Sequence, residues 1–239
     1  MQESLAAPFI HQEWDAYSDE QHQVWATLYS RRMPALRETA SRVFLEGAAA
    51  IGLDQRRIPN LASLNRRLVA RTGWSAVPVD GFLPATEFFR CLANRTFPTT
   101  VTIRAADRLD YVPEPDIFHD VFGHVPLHAD PVFAEFLQRF GALAASAATP
   151  EETERMARLF WFTVEFGLIR EGGEVNVYGS GLISSHADAA NALGPTCERR
   201  PFALDAVLQQ PFRIDELQPV LFVVEGFEQL FDAVERLSP

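Results

Sequence analysis

Two histidines five residues apart in an apolar run constrain this 239-residue chain more than anything else in it. They are His119 and His124, within Pro113-Glu-Pro-Asp-Ile-Phe-His-Asp-Val-Phe-Gly-His-Val-Pro-Leu127. Burying two imidazoles among Phe, Val and Ile costs free energy unless each has a partner. A divalent metal is one such partner, and imidazole suits Fe, Zn, Cu and Ni. Residues five apart on a straight α-helix lie about 140° apart around the axis. One ion can bind both only if the helix ends or distorts between them. Gly123 loosens the backbone, and Pro126 disfavours helix just before it. The expectation is a helix capped by Asp116 and carrying His119, with His124 at its frayed end. The alternative is two core histidines, each satisfied separately.

A second apolar run, Phe160-Trp-Phe-Thr-Val-Glu-Phe-Gly-Leu-Ile169, holds one carboxylate, Glu165. A buried Glu needs a partner. Arg104, Arg158 or Arg170 could supply one, or Glu165 could be a third metal ligand. Two histidines and a carboxylate form the facial triad of non-haem Fe(II) oxygenases. A zinc hydrolase uses the same ligand types. Residue types leave both open.

The rest of the chain reads as mainly α, with small two-stranded β ribbons. Ser18 and Gln21 form a capping box ahead of Val24, Trp25, Leu28 and Tyr29 at helical spacing, with His22 on the solvated side. A second helix is expected from Pro34 to Gly47, punctuated by those two residues, and a third from Asn60. Further helices are expected over 86–94, 130–148, 149–168, 184–193, 202–209 and 226–237. Strands are expected over 97–104, 175–178 and 219–225, with 73–84 irregular and 194–201 a loop. An apolar share of 47% is enough for a core, so residues 1–239 read as one domain with a loosely ordered lead-in over 1–16. The net charge of −11 argues against a nucleic-acid partner. No signal segment and no apolar run of about 18 residues appears, so no membrane partner is expected and the location reads as cytoplasmic. Cys91 and Cys197 read as reduced thiols.

Three stretches together resemble a known family. The His119–His124 segment, Trp161-Phe-Thr-Val-Glu-Phe-Gly-Leu168 and Tyr178-Gly-Ser-Gly-Leu-Ile-Ser-Ser185 closely resemble motifs of the pterin-dependent aromatic amino acid hydroxylases, in the same order. The resemblance implies a basket of helices with iron in a central cleft. It makes His119, His124 and Glu165 the Fe(II) ligands, with tetrahydrobiopterin or a related tetrahydropterin as electron donor and O2 as co-substrate. It gives the substrate carboxylate to Arg104, held by Asp116. Pro115 and Trp161 would wall the substrate ring, with Gly181 and Ser184 near its backbone. Gly81, Leu83, Phe88, Asp120, Ala157 and Phe160 would line the pterin site. His128 and His186 are not expected to ligate. Three positions depart from the pattern: Ala85 stands for a Ser, Phe160 for a Tyr and Val112 for a Thr. The length is similar to that of short bacterial members without regulatory or tetramerisation domains. That implies a monomer converting L-phenylalanine to L-tyrosine, with tryptophan 5-hydroxylation or phenylalanine 3-hydroxylation as alternatives.

Overall fold

The computed structural model describes residues 9–110 and 114–237, so Val112 and residues 1–8 lie outside the described residues. The remainder of the lead-in is docked. Ile10 N–H donates to Pro78 O at 3.0 Å, Gln12 bridges Pro59 O and Leu61 N–H, and Trp14 Nε1 donates to Ile58 O.

Helix α1, Asp19–Thr39, opens on the expected capping box at Ser18 and Gln21. It does not stop for Pro34. A proline inside a helix costs about 3 kcal/mol, yet Trp25, Leu28, Met33 and Leu36 form one buried stripe that continues through it. The break comes at Ala40, where Ser41 N–H donates to Val177 O at 2.8 Å and the Ser41 hydroxyl then caps α2, Arg42–Ile51. Gly47 lies inside α2 rather than ending it. A Cβ there would sit 2.0 Å from the Pro126 carbonyl oxygen, so the glycine serves close approach. His22 is not solvated: it is buried, and its Nδ1 accepts from Ile58 N–H at 3.2 Å.

Helix α3, Leu61–Thr72, starts on the expected Asn60 cap and ends at a left-handed Gly73. The segment expected to be irregular contains strand β1, Ser75–Pro78. After α4, Ala85–Ala93, it pairs in parallel with β2, Thr96–Thr99. Strand β2 is shorter than expected because Thr100 N–H turns away to the carboxylate of Asp120 at 2.7 Å.

Helices α5, Pro131–Ala145, and α6, Pro150–Phe160, start on caps from Asp130 and Thr149. The second sheet is larger than a ribbon. Strands β3, Leu168–Glu171, and β4, Glu174–Val177, form a hairpin through Gly172 and Gly173. Past α7, Ser180–Ser184, and α8, His186–Leu193, come β5, Glu198–Pro201, α9, Leu204–Gln209, β6, Val220–Val224, and α10, Glu228–Leu237. The order is β4-β3-β6-β5, with β6 parallel to both neighbours. At four residues each, β3 and β5 are too short to show an alternating pattern, and β5 is mostly charged and exposed.

Phe118 and Phe122 stack at 4.5 Å in the core, edge-on to Trp25. Both cysteines are free. No helix among the described residues is long and apolar enough to cross a membrane.

Candidate metal centre

The histidine segment is held at its start by Asp116. Its Oδ1 accepts from His119 N–H at 3.1 Å and from Arg104 Nη2 at 2.8 Å. Its Oδ2 accepts from Arg104 Nε at 2.7 Å and from the Arg104 backbone N–H at 3.0 Å. Burial alone would raise the Asp116 carboxyl, but the Arg104 guanidinium and these N–H groups hold it below the usual carboxylate range.

From Phe118 to His124 the backbone winds as a π-helix. Its i→i+5 repeat brings residues five apart over one another. The histidine spacing is therefore met by a wider winding, not by the frayed end expected from the sequence. The two Nε2 atoms lie 3.3 Å apart with the rings nearly perpendicular. Gly123 lets α7 pass close by, since a Cβ there would come within 3.0 Å of the Ser180 carbonyl oxygen.

The carboxylate arrives on a second π turn. Helix α6 continues into Trp161–Glu165, closed by a 2.8 Å bond from Phe166 N–H to Trp161 O, five residues back. Glu165 Oε1 lies 3.1 Å from His124 Nε2, and Oε2 lies 3.7 Å from His119 Nε2. Ligand atoms of all three residues fall within 4.8 Å of one another. Burial opposes the charge on Glu165, but the imidazoles of His124 and His119 and the Ser180 hydroxyl outweigh it and hold the carboxyl at about 2. None of the three candidate arginines pairs with it. Arg104 is on Asp116, Arg158 on Glu154 and Arg170 on Glu225.

Helix α7 braces this set. The Ser180 hydroxyl donates to Glu165 Oε2 at 2.7 Å. The Ser184 hydroxyl gives its proton to Ser180 O at 2.8 Å, so its oxygen accepts from His119 Nδ1 at 2.9 Å. That fixes the tautomer and points the Nε2 lone pair of His119 into the centre. His124 Nδ1 is buried with no partner among the described residues. Its ring is instead packed by Phe97, 4.6 Å away, and Phe160. Two imidazole nitrogens and a carboxylate converging at this distance fit a divalent first-row ion, with positions left open for other ligands.

Other expected site residues surround the triad. Arg104 spends three of its five side-chain N–H groups on Asp116 and on Leu109 O, and the other two have no acceptor among the described residues. Trp161 lies between Phe166 and Phe212, with both ring separations 4.6 Å. Gly181 is more than a turn residue, because a Cβ would meet the Phe166 ring at 2.9 Å and Glu165 O at 3.1 Å. Pro115 is half-buried just ahead of Asp116. Phe88 meets Phe160 edge-on at 5.4 Å, and half-buried Ala157 lies on α6 three residues before Phe160. Gly81 and Leu83 belong to the loop before α4, where Gly81 takes a left-handed φ of 87°. Asp120 is buried, and its Oδ2 accepts both the backbone N–H and the hydroxyl of Thr100. His128 is outside the cluster: its Nδ1 bonds His124 O, and burial holds its ring down at about 3. His186 lies against Arg32. Ser180, Phe97 and Phe212 are further neighbours of the site; of these only Ser180, within Tyr178–Ser185, carries a signal in the sequence.

Fold and site together define a mostly helical protein with a mononuclear centre of the two-histidine, one-carboxylate type used by non-haem iron oxygenases. Residues 13–238 match the family model described as biopterin-dependent aromatic amino acid hydroxylase. The phenylalanine-4-hydroxylase of Chromobacterium violaceum is 43% identical over 225 residues, covering 94% of this chain and 76% of the relative. A crystal structure of that bacterium's phenylalanine hydroxylase with iron(III) and 7,8-dihydrobiopterin superposes with a TM-score of 0.93 at 40% identity, over 99% of this chain and 87% of the other. A form with iron and phenylalanine gives 0.90 at 40% identity, over 96% and 84%. The chain belongs to the biopterin-dependent aromatic amino acid hydroxylase family.

Proposed function

We propose that this chain is a monooxygenase that uses Fe(II), a tetrahydropterin and O2 to convert L-phenylalanine to L-tyrosine. The observation that carries the reading is the convergence of His119, His124 and Glu165 within 4.8 Å, close to the Arg104–Asp116 pair. These three residues hold the iron. When bound, iron and reduced pterin together supply the electrons and activate O2 for insertion into an aromatic ring.

The chain's own residues bind and orient. Arg104 offers its two remaining N–H groups to the substrate carboxylate, and a planar fork suits that geometry. Asp116 keeps the fork in place. Trp161 and Pro115 wall the ring, with Gly181 and Ser184 along the substrate backbone. Phe88, Phe160 and Ala157 form an apolar side of the pterin site, completed by Gly81, Leu83 and Asp120. Phenylalanine is favoured by the relative of that name and by the structure of its bacterial counterpart with phenylalanine bound. The zinc-hydrolase alternative has no support among these relatives. The chain acts as a single catalytic domain, a cytoplasmic monomer with no nucleic-acid or membrane partner.

The test incubates the protein with Fe(II), O2, a reduced pterin and each aromatic amino acid in turn, separating products by chromatography. Tyrosine formed from phenylalanine, with pterin oxidised in step, is the expected result. Product formation without pterin, or preferred turnover of tryptophan, would overturn it.

A further inference from the structure

Two of the three proposed metal ligands take a hydrogen bond from, or give one to, the same five-residue helix. At the start of α7, Ser180 donates to Glu165; at its end, Ser184 accepts from His119. A small displacement of α7 therefore moves both contacts together. The last carbonyls of a helix lack intrahelical donors, and buried ones need partners from elsewhere. For α7 the partner is Arg32, from the middle of α1. Its Nε donates to Ile183 O and its Nη2 to Leu182 O, both at 2.9 Å. Its third nitrogen, Nη1, lies 3.5 Å from His186 Nδ1. Arg32 is 4% exposed, and it stands on the helix whose Trp25, Leu28, Met33 and Leu36 are fixed in the core. Burial lowers its pKa to about 10, so it remains charged at neutral pH.

We propose that Arg32 is a positioning residue of the metal centre, setting the place of α7 and, through Ser180 and Ser184, the aim of Glu165 and His119. This rests on the reading of His119, His124 and Glu165 as iron ligands. No side-chain atom of Arg32 needs to touch iron, pterin or substrate for this role. Its planar fork reaches two adjacent carbonyls at once, which the point charge of lysine does not.

The test measures iron affinity by chelator competition on the reconstituted chain, together with the ferric electron paramagnetic resonance spectrum. The variants are Arg32→Met, Arg32→Lys, Ser184→Ala, the double variants with Ser184→Ala, and Glu165→Ala. Arg32→Met is expected to weaken iron binding about tenfold, as outer-shell partners of metal ligands do, and to alter the ferric spectrum. Arg32→Lys should lie between it and the parent. If Arg32 acts through α7, its loss and that of Ser184 overlap, and the double variant binds less tightly than Ser184→Ala by only about twofold. Should Arg32→Met fail to fold, the lysine variant and its cycle with Ser184→Ala decide. Parental affinity and spectrum in an Arg32 variant that folds would overturn the proposal, and so would losses that multiply in full. Iron retained by Glu165→Ala would instead bring down the ligand assignment. Iron lost there but kept by the Arg32 variants would remove only the role of Arg32.

Discussion

Asp116→Asn tests the joint between the histidine segment and the substrate clamp. The wild-type carboxylate accepts four hydrogen bonds, three from Arg104 and one from His119 N–H. The side chains of Arg104 and Asp116 are only 8% and 5% exposed. The amide keeps the shape but turns donors toward the guanidinium and leaves its charge without a counter-ion. Breaking a buried pair this way costs about 3–5 kcal/mol, against a total stability of about 5–15 kcal/mol for a domain. The effect also has a pH signature. Asp116 titrates below its ordinary value when folded, so its contribution is complete above the unfolded carboxyl pKa of about 3.9 and is lost as pH falls through the folded one. The stability gap between wild type and variant should be flat from about pH 7 to 5 and narrow below about pH 4. Urea unfolding followed by circular dichroism at several pH values, with metal removed so that its binding does not add stability, measures this directly. A gap under about 1 kcal/mol at neutral pH, the value for an exposed pair, would refute the reasoning, as would a gap that widens in acid.

Arg104→Lys should raise KM for phenylalanine about tenfold with a smaller change in kcat, since one charge-assisted bond is worth about 1.5–3 kcal/mol; steady-state kinetics with an unaltered KM would count against the clamp. Gly179→Ala places a Cβ 2.4 Å from the backbone at Glu165 O and at Gly167 N. Backbone cannot yield as a side chain does, so the variant should lose about 1–3 kcal/mol or more and hold less iron, read by thermal melting and metal analysis.

Polar residues inside apolar runs demand an explanation, which is what made His119, His124 and Glu165 conspicuous in the sequence; residue types alone left metal ligation open against separate partners. The structure brings the three within 4.8 Å of one another and sends the competing arginines elsewhere. Caps were legible too, at Ser18, Asn60, Asp130 and Thr149, because capping uses side chains within a few residues of the backbone they satisfy. What failed was information held by distant chain. Pro34 and Gly47 looked like helix ends, but a buried stripe carries the helix through one and contact with Pro126 requires the other. Strands β3 and β5 are short and find their partner in β6, later in the chain. Phe97 and Phe212 are two among 19 phenylalanines, and nothing local marks them as neighbours of His124 and Trp161.

The wide winding at both ligand segments has a consequence for insertions and deletions. A π turn amounts to one extra residue in an α-helix. Deleting Val121 would leave the histidines four apart, the spacing that aligns them on a plain helix. The chain beyond would then keep nearly its present direction, because the wider turn is what absorbs the extra residue. A one-residue deletion inside this segment should therefore disturb Pro126 and Phe97 less than one in a plain helix, where the chain beyond rotates by about 100°.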